Sequence, residues 1–112
     1  MRVLVTGIRD FVDPRVIPQA IRDSGFDVSQ LVTGTFTGVE QQVSAWGRET
    51  GVPVVLFKPD WPRFRLKASA ARNNAMLDAA EAVVVIWTGN DSAKVFVTEA
   101  RKRKLPLHLH HV

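Results

Sequence analysis

The feature that most constrains this chain is a series of short apolar runs separated by stretches with helical periodicity. Val3 to Thr6, Leu31 to Thr33, Val54 to Phe57 and Val83 to Trp87 are near-continuous in aliphatic residues, and Leu107 to Leu109 is a weaker fifth run. The four stronger runs do not alternate apolar with polar, as strands with one wet face do. Strands covered on both faces read this way, and they belong to parallel sheets. Between the runs, Val39, Val43 and Trp46 recur at helical spacing before Gly51 and Pro53. Ala93, Phe96, Val97 and Ala100 do the same before Pro106, and Ala68, Arg72, Ala75, Met76 and Ala79 form an Ala-rich third stripe. The first helix is less clean. Asp13-Pro14 resembles a cap and first position, but Pro18 would then break an intrahelical hydrogen bond, so a later start or a kink is expected.

Strand and helix therefore alternate through five strands, which calls for right-handed crossovers and helices on both faces. The expected fold is a Rossmann-like three-layer α/β/α domain with a five-stranded parallel sheet in the order 3-2-1-4-5. Ligands of such sheets bind beyond the carboxyl ends of the strands, at the switch point between the first and fourth. With 112 residues, 46% of them hydrophobic and 23% charged, one domain spanning residues 1–112 buries a core without staples. The absence of cysteine excludes disulfides, thiol nucleophiles and cysteine metal sites. The opening Met1–Gly7 breaks too early for a secretory leader and no apolar run approaches bilayer length, so a cytoplasmic protein without a membrane partner is expected. The formal net charge is +4, and part of it lies in Arg101-Lys102-Arg103-Lys104. Such a run complements a helix dipole, or it forms a nucleic-acid patch.

A Thr-Gly signature follows three strands: Thr6-Gly7-Ile8-Arg9-Asp10, Thr33-Gly34-Thr35-Phe36-Thr37-Gly38 and Thr88-Gly89-Asn90-Asp91-Ser92. In a parallel sheet all three lie on one edge. Glycine allows close backbone approach, hydroxyls add donors, and the following helices offer unpaired N–H groups, a surface suited to phosphate or carboxylate. None of the loops is a dinucleotide GxGxxG or a Walker loop, so NAD redox and ATPase chemistry are disfavoured and no cofactor is expected.

The candidate ligand-binding residues are Thr6, Gly7, Arg9, Asp10, Gly34, Thr35, Thr37, Gly38, Glu40, Arg72, Asn73, Thr88, Gly89 and Ser92. Arg9 and Asp10 clamp a phosphate and a ribose hydroxyl, or pair with each other on the surface. Glu40, at a helix start, complements the dipole or serves as a general base, and Glu40 and Asp10 are the catalytic candidates. Arg72 and Asn73 open the third helix, where they suit phosphate recognition unless Asn73 anchors the preceding loop. In residues 58–65, Trp61 or Phe64 stacks on a base with Arg63 or Arg65 on phosphates, or the aromatics close over the core or a dimer interface. His108 and His110 share a strand face, yet no acidic partner is nearby in sequence and no metal is expected.

These blocks together resemble the YspA-like (cpYpsA-related) branch of the SLOG superfamily of small bacterial and phage proteins. Met1 to Asp10 is similar to that family's opening strand and Thr-Gly-Ser-Arg-Asp loop, with Ile8 for Ser. Val32 to Glu40 resembles its Gly-Gly-x-x-Gly-x-Asp turn, and Pro59-Asp60-Trp61 and Arg72-Asn73 with Met76-Leu77 resemble its later segments. The resemblance implies a nucleotide-derived ligand, such as one related to ADP-ribose. Thr35 and Thr37 stand where Gly and Arg are common, and Glu40 stands for Asp. Lys94 falls where the phosphoribohydrolase branch carries a catalytic Glu, which weakens a hydrolytic reading. Three functions follow: a nucleotide-ligand binder or sensor, an N-glycosidic hydrolase acting on nucleoside phosphates, or a single-stranded nucleic-acid binder using Arg63, Arg65 and residues 101–104. A homodimer through Trp46, Trp61 or Phe64 is a further expectation.

Overall fold

Every expected strand forms, and the sheet is parallel throughout. The computed structural model describes residues 1–89 and 91–112. Strands β1 (Arg2–Gly7), β2 (Gln30–Gly34), β3 (Val54–Phe57), β4 (Ala82–Trp87) and β5 (Leu107–His111) lie in the order β3-β2-β1-β4-β5. The helices are α1 (Val16–Ser24), α2 (Gly38–Thr50), α3 (Trp61–Phe64), α4 (Ala68–Ala79) and α5 (Lys94–Lys102).

The continuous apolar runs reflect a sheet with two dry faces. Val3 and Val5 of β1 join Val84 and Ile86 of β4 in a core beneath α1 and α2 with Ile17, Val39 and Val43. The alternate residues Leu4, Val83 and Val85 enter a second core with Met76 and Leu77 of α4 and Phe96 and Val97 of α5. Successive strand side chains point to opposite faces, so each run is apolar at nearly every position. Val83, Val84, Val85 and Ile86 are all fully buried.

Helix α1 starts at Val16, two residues after Pro14, which resolves the conflict over Pro18. Pro18 becomes the third helical residue, where the N–H has no intrahelical acceptor to lose. Asp13 accepts from the Arg15 backbone N–H at 3.0 Å and from its guanidinium. Helix α2 carries a capping box between Thr37 and Glu40 and ends at Gly51 in the left-handed region (φ 77°). The stretch after β3 forms α3 and a 3-10 turn over Arg65–Lys67. Asp60 caps α3 by accepting from the Arg63 N–H at 3.2 Å, and Pro62 presets the first turn. Among the described residues, no helix is long and apolar enough to cross a membrane.

Candidate functional site

The carboxyl ends of β1, β2 and β4 converge as expected, and backbone hydrogen bonds stitch their loops together. The Gly38 N–H donates to Arg9 O at 2.7 Å, Val39 N–H to Ile8 O at 3.4 Å, and Ile8 N–H to Ile86 O at 3.1 Å.

Beneath these loops lies a closed ionic network centred on Glu40, which is completely buried. Its Oε1 accepts from Phe36 N–H (3.0 Å), Thr37 N–H (3.1 Å) and Arg72 Nη1 (2.8 Å), while Oε2 accepts from the Thr6 hydroxyl (2.8 Å). The Glu40 N–H in turn donates to Thr37 Oγ1 at 3.0 Å. Arg72 also donates to Asn73 Oδ1, from Nε at 3.2 Å and Nη2 at 2.8 Å. The two side chains are 5% and 0% exposed, so charge is neutralised out of water and every Glu40 oxygen is occupied. Gly34 makes room for this pair. A Cβ there would lie 2.5 Å from Glu40 Oε1 and nearer still to Arg72 Nη1.

One expectation is corrected here. The helix after β2 was expected to offer unpaired N–H groups to an anion, but the donors at the entry to α2 are already taken, by the Glu40 side chain, the Thr37 hydroxyl and carbonyls of the β1 loop. Nor do Arg72 and Asn73 open their helix. They lie in the second turn of α4, which begins at Ala68.

The β4 loop is held in a related way. Asp91 accepts from the Thr88 N–H and hydroxyl, both at 2.7 Å, and from Ala93 N–H at 2.8 Å. Burial alone would raise its pKa. The hydrogen bonds from Thr88 and Ala93, with His111 nearby, outweigh burial and hold the carboxyl below the ordinary aspartate range. Asn90, part of the expected loop signature, lies outside the described residues.

Above the network, a cleft of about 180 Å³ opens at the switch point. Of the candidate residues it brings together Gly7, Arg9, Thr37, Arg72, Asn73 and Ser92. Sequence reasoning missed Phe36 and Ser69, which also line it, and the apolar wall of Ala93, Val95 and Phe96. Phe36 carried a legible signal, as a large aromatic in a Thr-Gly loop that is 47% exposed. Its ring centroid lies 5.7 Å from both the Arg9 and the Arg72 guanidinium carbons, within cation–π range. The surface pair of Arg9 with Asp10 does not form, and among the described residues Arg9 has no ion-pair partner.

The other candidates lie off the cleft. Thr6 and Glu40 are buried under it, and Asp10 is exposed beside the Gly38 backbone. Gly34 and Thr35 line a separate cavity of about 420 Å³ with Phe11, Gln41, Arg48 and Leu56. Thr88 and Gly89 are not part of the cleft lining, and Gly89 sits against the His111 ring.

Comparison with known proteins bears on the half of the chain that builds β1, β2 and the ionic network's carboxylate. The model of the YspA, cpYpsA-related SLOG family matches residues 1–64. No curated protein and no solved structure matches the chain. The match includes Gly7, Arg9, Phe36 and Thr37 of the cleft and ends before Ser69, Arg72 and Ser92. By a match over more than half its length, the chain belongs to the YspA, cpYpsA-related SLOG family.

Proposed function

We propose that the switch-point cleft binds a nucleotide-derived ligand, with Arg9 on its phosphate and Phe36 against its base or sugar. The observation that carries this reading is the contrast between the two arginines. Arg72 is neutralised by Glu40 and its side chain is 5% exposed, whereas among the described residues Arg9 is an exposed guanidinium without an ion-pair partner at the cleft, with an exposed aromatic ring beside it. Ser69 and Ser92, which carry hydroxyl donors, also line the cleft. Family membership is consistent with a nucleotide-related ligand. At about 180 Å³ the cleft is smaller than a pocket enclosing a drug-sized molecule, so a ligand as long as ADP-ribose would extend over the rim.

Binding is favoured over hydrolysis. A general base must reach the substrate, and Glu40 is completely buried beneath the cleft with its carboxylate paired to Arg72. The experiment is a thermal-shift panel of AMP, ADP and ADP-ribose on the wild type and Arg9→Gln. Ligand at about ten times its Kd adds about 1.4 kcal/mol by mass action, which raises Tm by about 5 °C in a domain this size. The shift should disappear in Arg9→Gln with the nucleotide recovered intact. No shift with any nucleotide at millimolar concentration, or a shift that survives Arg9→Gln, overturns the reading. Release of free base that is lost in Glu40→Gln would instead establish the hydrolase.

A further inference from the structure

The segment between β3 and α4 is not used by the cleft, and it concentrates two features that globular surfaces seldom combine. Trp61 is 48% exposed, Phe64 38% and Leu66 98%. Interleaved with them are the exposed cations Lys58, Arg63, Arg65 and Lys67, opposed within the segment only by Asp60. The Asp60 carboxylate accepts from the Arg63 backbone N–H rather than from its side chain. Among the described residues none of the four cations is in an ion pair. The segment thus carries a net three positive charges, most of the chain's formal +4. The Arg63 guanidinium lies 5.0 Å from the Phe64 ring centroid, and Arg65 holds φ 52°, a region that non-glycine residues rarely occupy. Because the segment leaves the carboxyl end of β3, it lies on the same sheet edge as the cleft, and Ser69 of the cleft follows two residues after Lys67.

We infer that residues 58–67 form a contact surface for single-stranded nucleic acid, with Trp61 and Phe64 stacking on bases and the four cations following the phosphates. Three physical arguments select this occupant. An isologous interface between two copies would set the same four cations against each other, since a two-fold axis matches a patch with itself. Insertion into a membrane surface needs a sustained apolar helix face, and here the apolar residues sit on one helical turn and a 3-10 turn. A duplex hides its base faces and is read by an element laid in a groove, whereas exposed rings among cations match the stacking platforms that bind unpaired strands.

The test is fluorescence anisotropy of the full chain with a labelled oligothymidylate of about twelve nucleotides, titrated over a range of salt concentrations. Four phosphate contacts at about 0.7 counterions each predict a slope of log K against log salt of about −3. Arg63→Gln with Lys67→Gln should reduce that slope by about 1.4, and Trp61→Ala should weaken binding about tenfold with the slope unchanged. Circular dichroism melts of each variant verify that it is folded, and Arg63→Lys, which keeps the charge, should retain the slope. The inference is overturned if the oligonucleotide does not bind, if duplex of the same length binds equally well, or if the slope is unmoved by the double substitution. It is also overturned if anionic vesicles compete the oligonucleotide away, or if the patch proves occupied in a dimer by sedimentation.

Discussion

Replacing Glu40 with Gln tests whether this residue organises the site or reacts in it. The substitution keeps shape and one carbonyl oxygen, so Phe36 N–H, Thr37 N–H and Arg72 Nη1 can still donate to the atom that replaces Oε1. Two things are lost. The new amide nitrogen faces the Thr6 hydroxyl, which donates to Oε2 in the wild type at 2.8 Å, and Arg72, with a side chain 5% exposed, keeps its charge without a counter-ion. Removing one partner of a buried ion pair costs about 3–5 kcal/mol. The retained neutral hydrogen bonds place Glu40→Gln at the lower end, about 3 kcal/mol, or a fall in Tm of about 12 °C at about 4 °C per kcal/mol. Urea denaturation should show a lower midpoint at unchanged m. Arg72→Met added to Glu40→Gln should cost about 2 kcal/mol less than the two single changes together, because the orphaned charge is gone. A loss below about 1 kcal/mol for Glu40→Gln, or strict additivity in the double variant, would refute the structural role.

Gly34→Ala should destabilise by about 1–3 kcal/mol in the same assay, since its methyl group would meet both members of the buried pair. Arg9→Gln should leave the unfolding free energy within about 0.5 kcal/mol of wild type, because Arg9 is exposed and among the described residues has no ion-pair partner. Asp91→Ala should cost about 1 kcal/mol as a lost cap of the β4 loop, with the earliest amide-exchange gains at Thr88 and Ala93. The Arg15 side chain and backbone N–H hold the Asp13 carboxyl at about 2 against an ordinary 3.8. A depressed folded-state value stabilises above 3.8 and is lost as the pH falls through about 2, so Asp13→Asn should flatten the stability curve across that window.

Much of the architecture was legible without tertiary information. The four stronger apolar runs became β1 to β4, with β3 unchanged and the others longer by one residue at one or both ends, and the order β3-β2-β1-β4-β5 is the one expected for a Rossmann-like alternation. The Pro14 and Pro18 conflict named the right problem, and its solution is a start at Val16. The segment at residues 58–67 was not legible as α3 and a turn, because four-residue helices carry too little periodicity to read.

The Thr-Gly loops divide along the same line. That three of them share one sheet edge is a consequence of chain order, since parallel strands place all their carboxyl ends together, and sequence alone determined it. Which donors on that edge stay available was decided by the Thr37–Glu40 capping box together with contacts no local rule reveals, the β1-loop carbonyls and Arg72 of α4. Glu40 and Arg72 are 32 residues apart in sequence, and no local rule reveals that one neutralises the other. The Glu40 carboxylate takes up the Phe36 and Thr37 N–H groups and the Thr6 hydroxyl, and its pairing with Arg72 neutralises it below the surface. Arg9 and Phe36 are left exposed at the cleft, where a charge without a buried counter-ion is available to a ligand.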